Sequence, residues 1–216
     1  MAERLCLLVG EEQGVRLLAS EDEGRTWAEP ETLLAGVHAC TLAAAPDGSV
    51  YVGTRGEGLF RVAPGLRSHE QVETPAELSK VRSLCITGDQ FLAGTEPAQV
   101  YSWEDRKRWV PFGDVRQVSG TPEWWYPVQG EDPHVRHLSA DPHRSGQFYG
   151  SLQVGGIAIT PDGGDTWHDR RNLDLDVHMV QAHPAKPGTV YAGSGGKGLF
   201  RSHDWGESWE NIAGTT

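Results

Sequence analysis

The sequence predicts an all-β fold, a β-propeller of four-stranded antiparallel blades with about five blades present. Three observations predict it. A short apolar string recurs at intervals of roughly forty residues, the spacing of propeller blades: Val50-Tyr51-Val52-Gly53-Thr54, Phe91-Leu92-Ala93-Gly94-Thr95, Phe148-Tyr149-Gly150-Ser151 and Val190-Tyr191-Ala192-Gly193-Ser194. A second motif, a hydroxyl residue, Asp, Gly, hydroxyl residue and Trp in fixed order, recurs out of phase with the first. The composition, with 27 Gly, 13 Pro and eight Trp in 216 residues, suits short strands joined by tight turns.

Each blade can be followed along the chain. An apolar first strand (residues 37–44, 81–87, 135–140 and 177–182) leads to a turn at Asp47-Gly48, Gly88-Asp89, Ser145-Gly146 or Pro187-Gly188, and then to the recurring string. A third strand follows, with Gly58-Leu59-Phe60-Arg61 and Gly198-Leu199-Phe200-Arg201 as near copies. The second motif comes next. Ser20, Asp22, Gly24 and Trp27 align with Asp162, Gly164 and Trp167, and with Ser202, Asp204, Gly206 and Trp209. Residues 102–109 read as a degraded copy ending in Trp109, and the second repeat has lost the motif between Arg61 and Ser68. Hydroxyl and carboxylate side chains accept backbone N–H groups in such a turn, glycine supplies positive φ, and the Trp buries a large ring as the fourth strand begins.

One domain over residues 1–216 is expected: a partial blade at 1–36, blades at 37–80, 81–134, 135–176 and 177–216, and an insertion at 113–134. The chain starts mid-blade, with residues 4–9 as a second strand and 15–20 as a third, and ends soon after Trp209. Three readings stay open: a fragment of a larger ring, a five-bladed ring whose first blade has three strands, and self-association through unpaired blade edges.

The Ser-x-Asp-x-Gly-x-Thr-Trp pattern resembles the Asp-box, or bacterial neuraminidase repeat, of sialidases, sorting-receptor propellers, a photosystem assembly factor and glycosyl-hydrolase-like proteins. The resemblance covers nearly the whole chain. It implies the propeller fold, and it implies that the box is a structural turn remote from chemistry. A sialidase would need an arginine triad, a Tyr with a Glu partner and an Asp acid. Arg82, Arg136 and Tyr126 beside Glu123 or Glu131 supply only part of that set, and histidines stand where a third arginine would.

The totals restrict the partners. A formal net charge of −11 disfavours nucleic acid and anionic membrane, and no apolar run is long enough to span a bilayer. The three cysteines lack the spacing of a disulfide framework or zinc knuckle, and the N-terminus lacks the basic flank and length of a signal peptide, so a cytoplasmic location is expected. No cofactor is expected, and no ligand spacing compels a metal site.

Two features carry candidate function. The insertion holds Trp124-Trp125-Tyr126, a stacking platform for a sugar or aromatic ligand, or a plug that packs over the ring. Superposing the first strands on their leading valines aligns His38, Arg82, Arg136 and His178, with His137 nearby. Such basic side chains around an axis suit a carboxylate or phosphate, and equally they cap strand ends against Asp or Glu. The leading functional reading is a non-enzymatic binding or assembly module. The alternative is a glycoside-hydrolase-like or sugar-binding protein that uses the aromatic insertion and the basic cluster, with an anionic small molecule or a carbohydrate as ligand.

Overall fold

The computed structural model describes residues 4–88, 90–118, 132–170, 173 and 176–212. It is all-β, with nineteen strands among the described residues, in five antiparallel sheets of the propeller-blade type. The chain divides into two compact units, Met1–Val81 and Arg82–Thr216.

The first unit holds two sheets. One is three-stranded, in the order β1 (Leu5–Glu11), β2 (Gly14–Ser20) and β3 (Glu31–Leu33). The other has β4 (Ala39–Ala44), β5 (Val50–Thr54), β6 (Leu59–Val62) and β7 (His69–Val72). Period-two alternation along these strands turns Val15, Val52 and Val62 into a shared core, joined by Val37 just ahead of β4. Gly10 lets the sheets approach, because a Cβ there would meet Leu42 at 2.8 Å.

The second unit holds three sheets. The third sheet has β8 (Val81–Thr87), β9 (Gln90–Thr95), β10 (Val100–Glu104) and β11 (Arg108–Pro111). The fourth has β12 (Val135–Ala140), β13 (Phe148–Leu152), β14 (Gly156–Thr160) and β15 (His168–Arg170). The fifth has β16 (Val177–Ala182), β17 (Val190–Ser194), β18 (Gly198–Ser202) and β19 (Glu210–Asn211). Leu92, Val100, Phe112, Val135 and Trp167 fill the space between the third and fourth sheets. Tyr149, Ile157, Val180 and Phe200 fill the space between the fourth and fifth. No described helix is long and apolar enough to cross a membrane.

The three intact Asp-Gly-Trp turns share one hydrogen-bond pattern. The hydroxyls of Ser20, Thr160 and Ser202 each accept from the glycine N–H four residues on, at 2.8 Å, and each donates to the aspartate between them. The aspartates accept the backbone N–H and hydroxyl of Thr26, Thr166 and Ser208. The Thr26 N–H, above all, pulls the Asp22 pKa down to about 2. The glycines sit at φ of 85°, 95° and 91°, the left-handed region that glycine enters without penalty. Thr160 is fully buried, so Thr160→Val leaves the Gly164 N–H without its acceptor. A loss of about 2 kcal/mol in urea denaturation is expected, against little change for Thr166→Ser, which keeps its hydroxyl.

Residues 102–109 depart from the degraded motif expected of them. β10 runs on to Glu104, and the chain reverses through Asp105 and Arg106, both at positive φ. Trp103 pairs with Trp109 across this hairpin, their rings parallel and 5.2 Å apart. That cross-strand stack, with Arg where the motif needs Gly, favours a tight hairpin over the wider turn.

Candidate functional site

Bulges in the first strands of the sheets position the candidate residues. In β12 the pairing slips between Val135 and His137, so Arg136 is the extra residue. In β16 it slips between Val177 and Met179, which makes His178 the extra residue. A bulge re-aims the side chain it carries, so both project away from the regular ladder. In β4 the slip falls between Ala39 and Thr41, and the extra residue is Cys40.

This register corrects the alignment of His38 with Arg136 and His178. The Arg55 N–H donates to the His38 carbonyl, as Gln153 does to His134 and Gly195 does to Asp176. His38 therefore corresponds to His134 and Asp176. Val37 matches the other leading valines in type only, because Ala39 occupies their place in the pairing pattern. Arg82 keeps its assignment: Ser83 faces Gly94 as Thr41 faces Gly53, so Arg82 precedes that position as Arg136 precedes His137.

Within the second unit, Arg82, Arg136 and His178 lie in two short polar networks. Arg82 Nε donates to Glu96 at 2.8 Å, and the Glu96 carboxylate is almost fully buried at 1% exposure. His134 stands 3.9 Å from the same carboxylate, and its Nδ1 contacts the Asp132 carbonyl at 3.2 Å. Burial, reinforced by the Arg82 charge, lowers the His134 pKa to about 4, with Glu96 pulling the other way and Arg136 adding to the depression. Arg136 links the two networks electrostatically. It donates to Gln153 Oε1, Gln153 Nε2 donates to Asp176 Oδ1 at 3.1 Å, and His178 Nε2 meets that oxygen at 3.1 Å. Asp176 and His178 keep about two-fifths of their side-chain surface in solvent. Gly195 presses against both, leaving no room for a side chain.

The remaining candidates stand elsewhere. His137 is packed against the Val180 backbone in the contact between the fourth and fifth sheets, and burial lowers its pKa. Trp124, Trp125 and Tyr126 lie outside the described residues, as do Glu123 and Glu131. Among the described residues no cluster of three or more His, Cys, Asp or Glu could hold a metal ion. Glu96, His134, Gln153 and Asp176 are missed by reading the first strands alone. They precede a leading valine or follow the recurring string, and extending the alignment by one residue at each end finds them.

One guanidinium, Arg82, is paired with the Glu96 carboxylate, whereas the other, Arg136, donates to the neutral Gln153 amide, and Asp176 accepts from Gln153 and meets His178. The Arg82–Glu96 pair is internal, Glu96, His134 and Gln153 are buried, and Asp176 and His178 face solvent. That pairing takes Arg82 out of a free anion clamp.

No family model matches the chain. An oligoxyloglucan-reducing end-specific xyloglucanase of Emericella nidulans is 29% identical over 84 residues, 36% of this chain and 10% of that enzyme. The GH74 xyloglucanase of Xanthomonas campestris aligns with 97% of this chain and 36% of its own, with a TM-score of 0.67 and 17% identity. YCF48 of Cyanidioschyzon merolae aligns with 92% of this chain and 63% of its own, with a TM-score of 0.63 and 10% identity. The chain thus spans a minor part of the xyloglucanases it matches, and these likenesses establish a β-propeller fold.

Proposed function

We propose that the chain is a glycoside-hydrolase-like propeller segment that binds carbohydrate along the row Arg82, Glu96, His134, Arg136, Gln153, Asp176 and His178, with its Asp-box turns serving as structural staples. The observation that carries this reading is the hydrogen-bonded chain Arg136–Gln153–Asp176–His178, whose last two members face solvent. Vicinal hydroxyls both donate and accept, and an amide between a guanidinium and a carboxylate matches that pattern. The partial identity to a xyloglucanase supports a β-glucan-type ligand. Hydrolysis is the second reading, favoured by the same relative. It needs two carboxyls across the scissile bond, one of them carrying a proton. Glu96 is committed to Arg82, and Asp176 to Gln153 and His178, so binding fits the described groups better.

Isothermal titration with xyloglucan oligosaccharides is the test. Saturable binding is expected, weakened about tenfold (about 1.4 kcal/mol) by Arg136→Ala, with no comparable heat from inorganic phosphate. A parent protein that binds phosphate but no oligosaccharide, or an Arg136→Ala variant that binds as tightly as the parent, overturns the reading.

A further inference from the structure

The first unit contains an open-mouthed cavity of about 380 Å³ bordered by Arg4, Cys6, Leu8, Leu17, Val50 and Leu66. It lies at the place in the first unit that corresponds to where the contact between the fourth and fifth sheets holds two aromatic rings, Tyr149 and Trp209. Where the fourth and fifth sheets meet, the Asp-Gly-Trp turn of the fifth closes the gap. Gly206 of that turn lies against Ile159 and Tyr149, and Trp209 joins the same cluster. Where the third and fourth meet, Trp167 does this, with its Nε1 donating to the Phe112 carbonyl at 3.3 Å. The second sheet has no such turn. After β6 its chain reverses through Ala63 and Leu66, with Leu66 at a φ of 60°, and no tryptophan follows.

The first sheet is depleted at the same place. Leu5 pairs with Ser20 as Phe148 pairs with Thr160 and Val190 with Ser202. Cys6 therefore stands where Tyr149 and Tyr191 stand. An indole and a phenol are both missing, and their space is bordered by aliphatic side chains and a thiol. The exposed Arg4 guanidinium, held 3.4 Å from Glu21, offers a cation at the border.

We propose that this cavity binds a planar aromatic small molecule of indole size, seated where the fourth and fifth sheets place their own tryptophan. The site is independent of the carbohydrate row. Free indole is the probe, and Cys6 is a reporter built into the wall. Cys6 is exposed, whereas Cys40 and Cys85 are half-buried, and burial pushes the Cys85 thiol up to about 11.

Saturating indole is expected to slow iodoacetamide labelling of Cys6 in the full chain several-fold, read by peptide mass spectrometry, with labelling of Cys40 unchanged. Cys6→Tyr, which restores the missing phenol, is expected to abolish indole binding in a calorimetric titration while preserving the circular dichroism of the parent. Leu8→Phe, which narrows the cavity from the same strand, is expected to weaken binding and serves if Cys6→Tyr does not fold. Labelling of Cys6 that is insensitive to indole, or undiminished indole affinity in a folded filling variant, overturns the proposal.

Discussion

Gly113→Ala is expected to destabilise the second unit by about 3 kcal/mol, the sum of a left-handed backbone penalty and core overpacking. Gly113 sits at a φ of 65°, already unfavourable for any residue with a Cβ. An added methyl would overlap the Gly164 carbonyl oxygen, 2.9 Å from its carbon and 3.0 Å from Trp167 Nε1. Those atoms belong to the turn that clamps the fourth sheet onto the third. Trp167 donates there to the Phe112 carbonyl, and Gln99 donates to the Gly113 carbonyl at 3.2 Å. Neither carbonyl can retreat without breaking that turn. For a chain of this size, a loss of about 3 kcal/mol lowers the melting temperature by about 10 °C. Gly163→Ala is the control. Gly163 has a φ of 75° with nothing within 4 Å of an added Cβ, so only the backbone penalty of about 1 kcal/mol applies. Equal melting temperatures for the two variants would contradict this account of the sheet contact.

The second large effect is a loss of stability in mild acid that traces to His134. Its side chain is 7% exposed, and its pKa of about 4 lies below the ordinary 6.5. Burial is the main cause, Arg82 and Arg136 add repulsion, and Glu96 and the Asp132 carbonyl offset part of it. A group whose folded pKa is depressed takes up its proton more readily in the unfolded chain. The stabilisation is therefore complete above pH 6.5 and falls as pH drops toward 4, with a slope of at most about 1.4 kcal/mol per pH unit for one proton. Urea denaturation between pH 4 and pH 7 reads this slope, and His134→Gln is expected to flatten it. An unchanged slope in a folded His134→Gln protein would assign the acid loss to other groups.

Much of the architecture is legible in the sequence because the repeat is local chemistry. The strings containing Gly53, Gly94 and Gly193 mark second strands, and Asp22, Asp162 and Asp204 mark turns whose hydrogen bonds close within a few residues. The order and antiparallel sense of the strands follow directly. What stays illegible depends on register. A bulge displaces the pairing by one residue without altering composition, so Val37 passes for a leading valine and His38 for a partner of Arg136. The turn after Ser102 is hidden for a related reason. Its outcome depends on Trp103 stacking on Trp109, a contact that requires β10 to extend past the place where the other copies turn. The site is legible in half. Arg82, Arg136 and His178 stand out as polar residues at the head of apolar strands. Their partners Glu96, Gln153 and Asp176 lie in connecting segments where polar residues are ordinary. The cavity in the first unit is a difference between sheets, visible once the pairing of Leu5 with Ser20 places Cys6 at the position a tyrosine holds in the fourth and fifth sheets.

The central claim is that the polar row in the second unit recognises carbohydrate. The most direct test is a heteronuclear NMR titration of the labelled chain with a xyloglucan oligosaccharide. The account predicts saturable shifts concentrated in the amides and side chains of residues 134–136, 153, 176–178 and 195, including the Arg136 guanidinium and the Gln153 amide. A titration that leaves those signals in place while shifts cluster on other strands would contradict it.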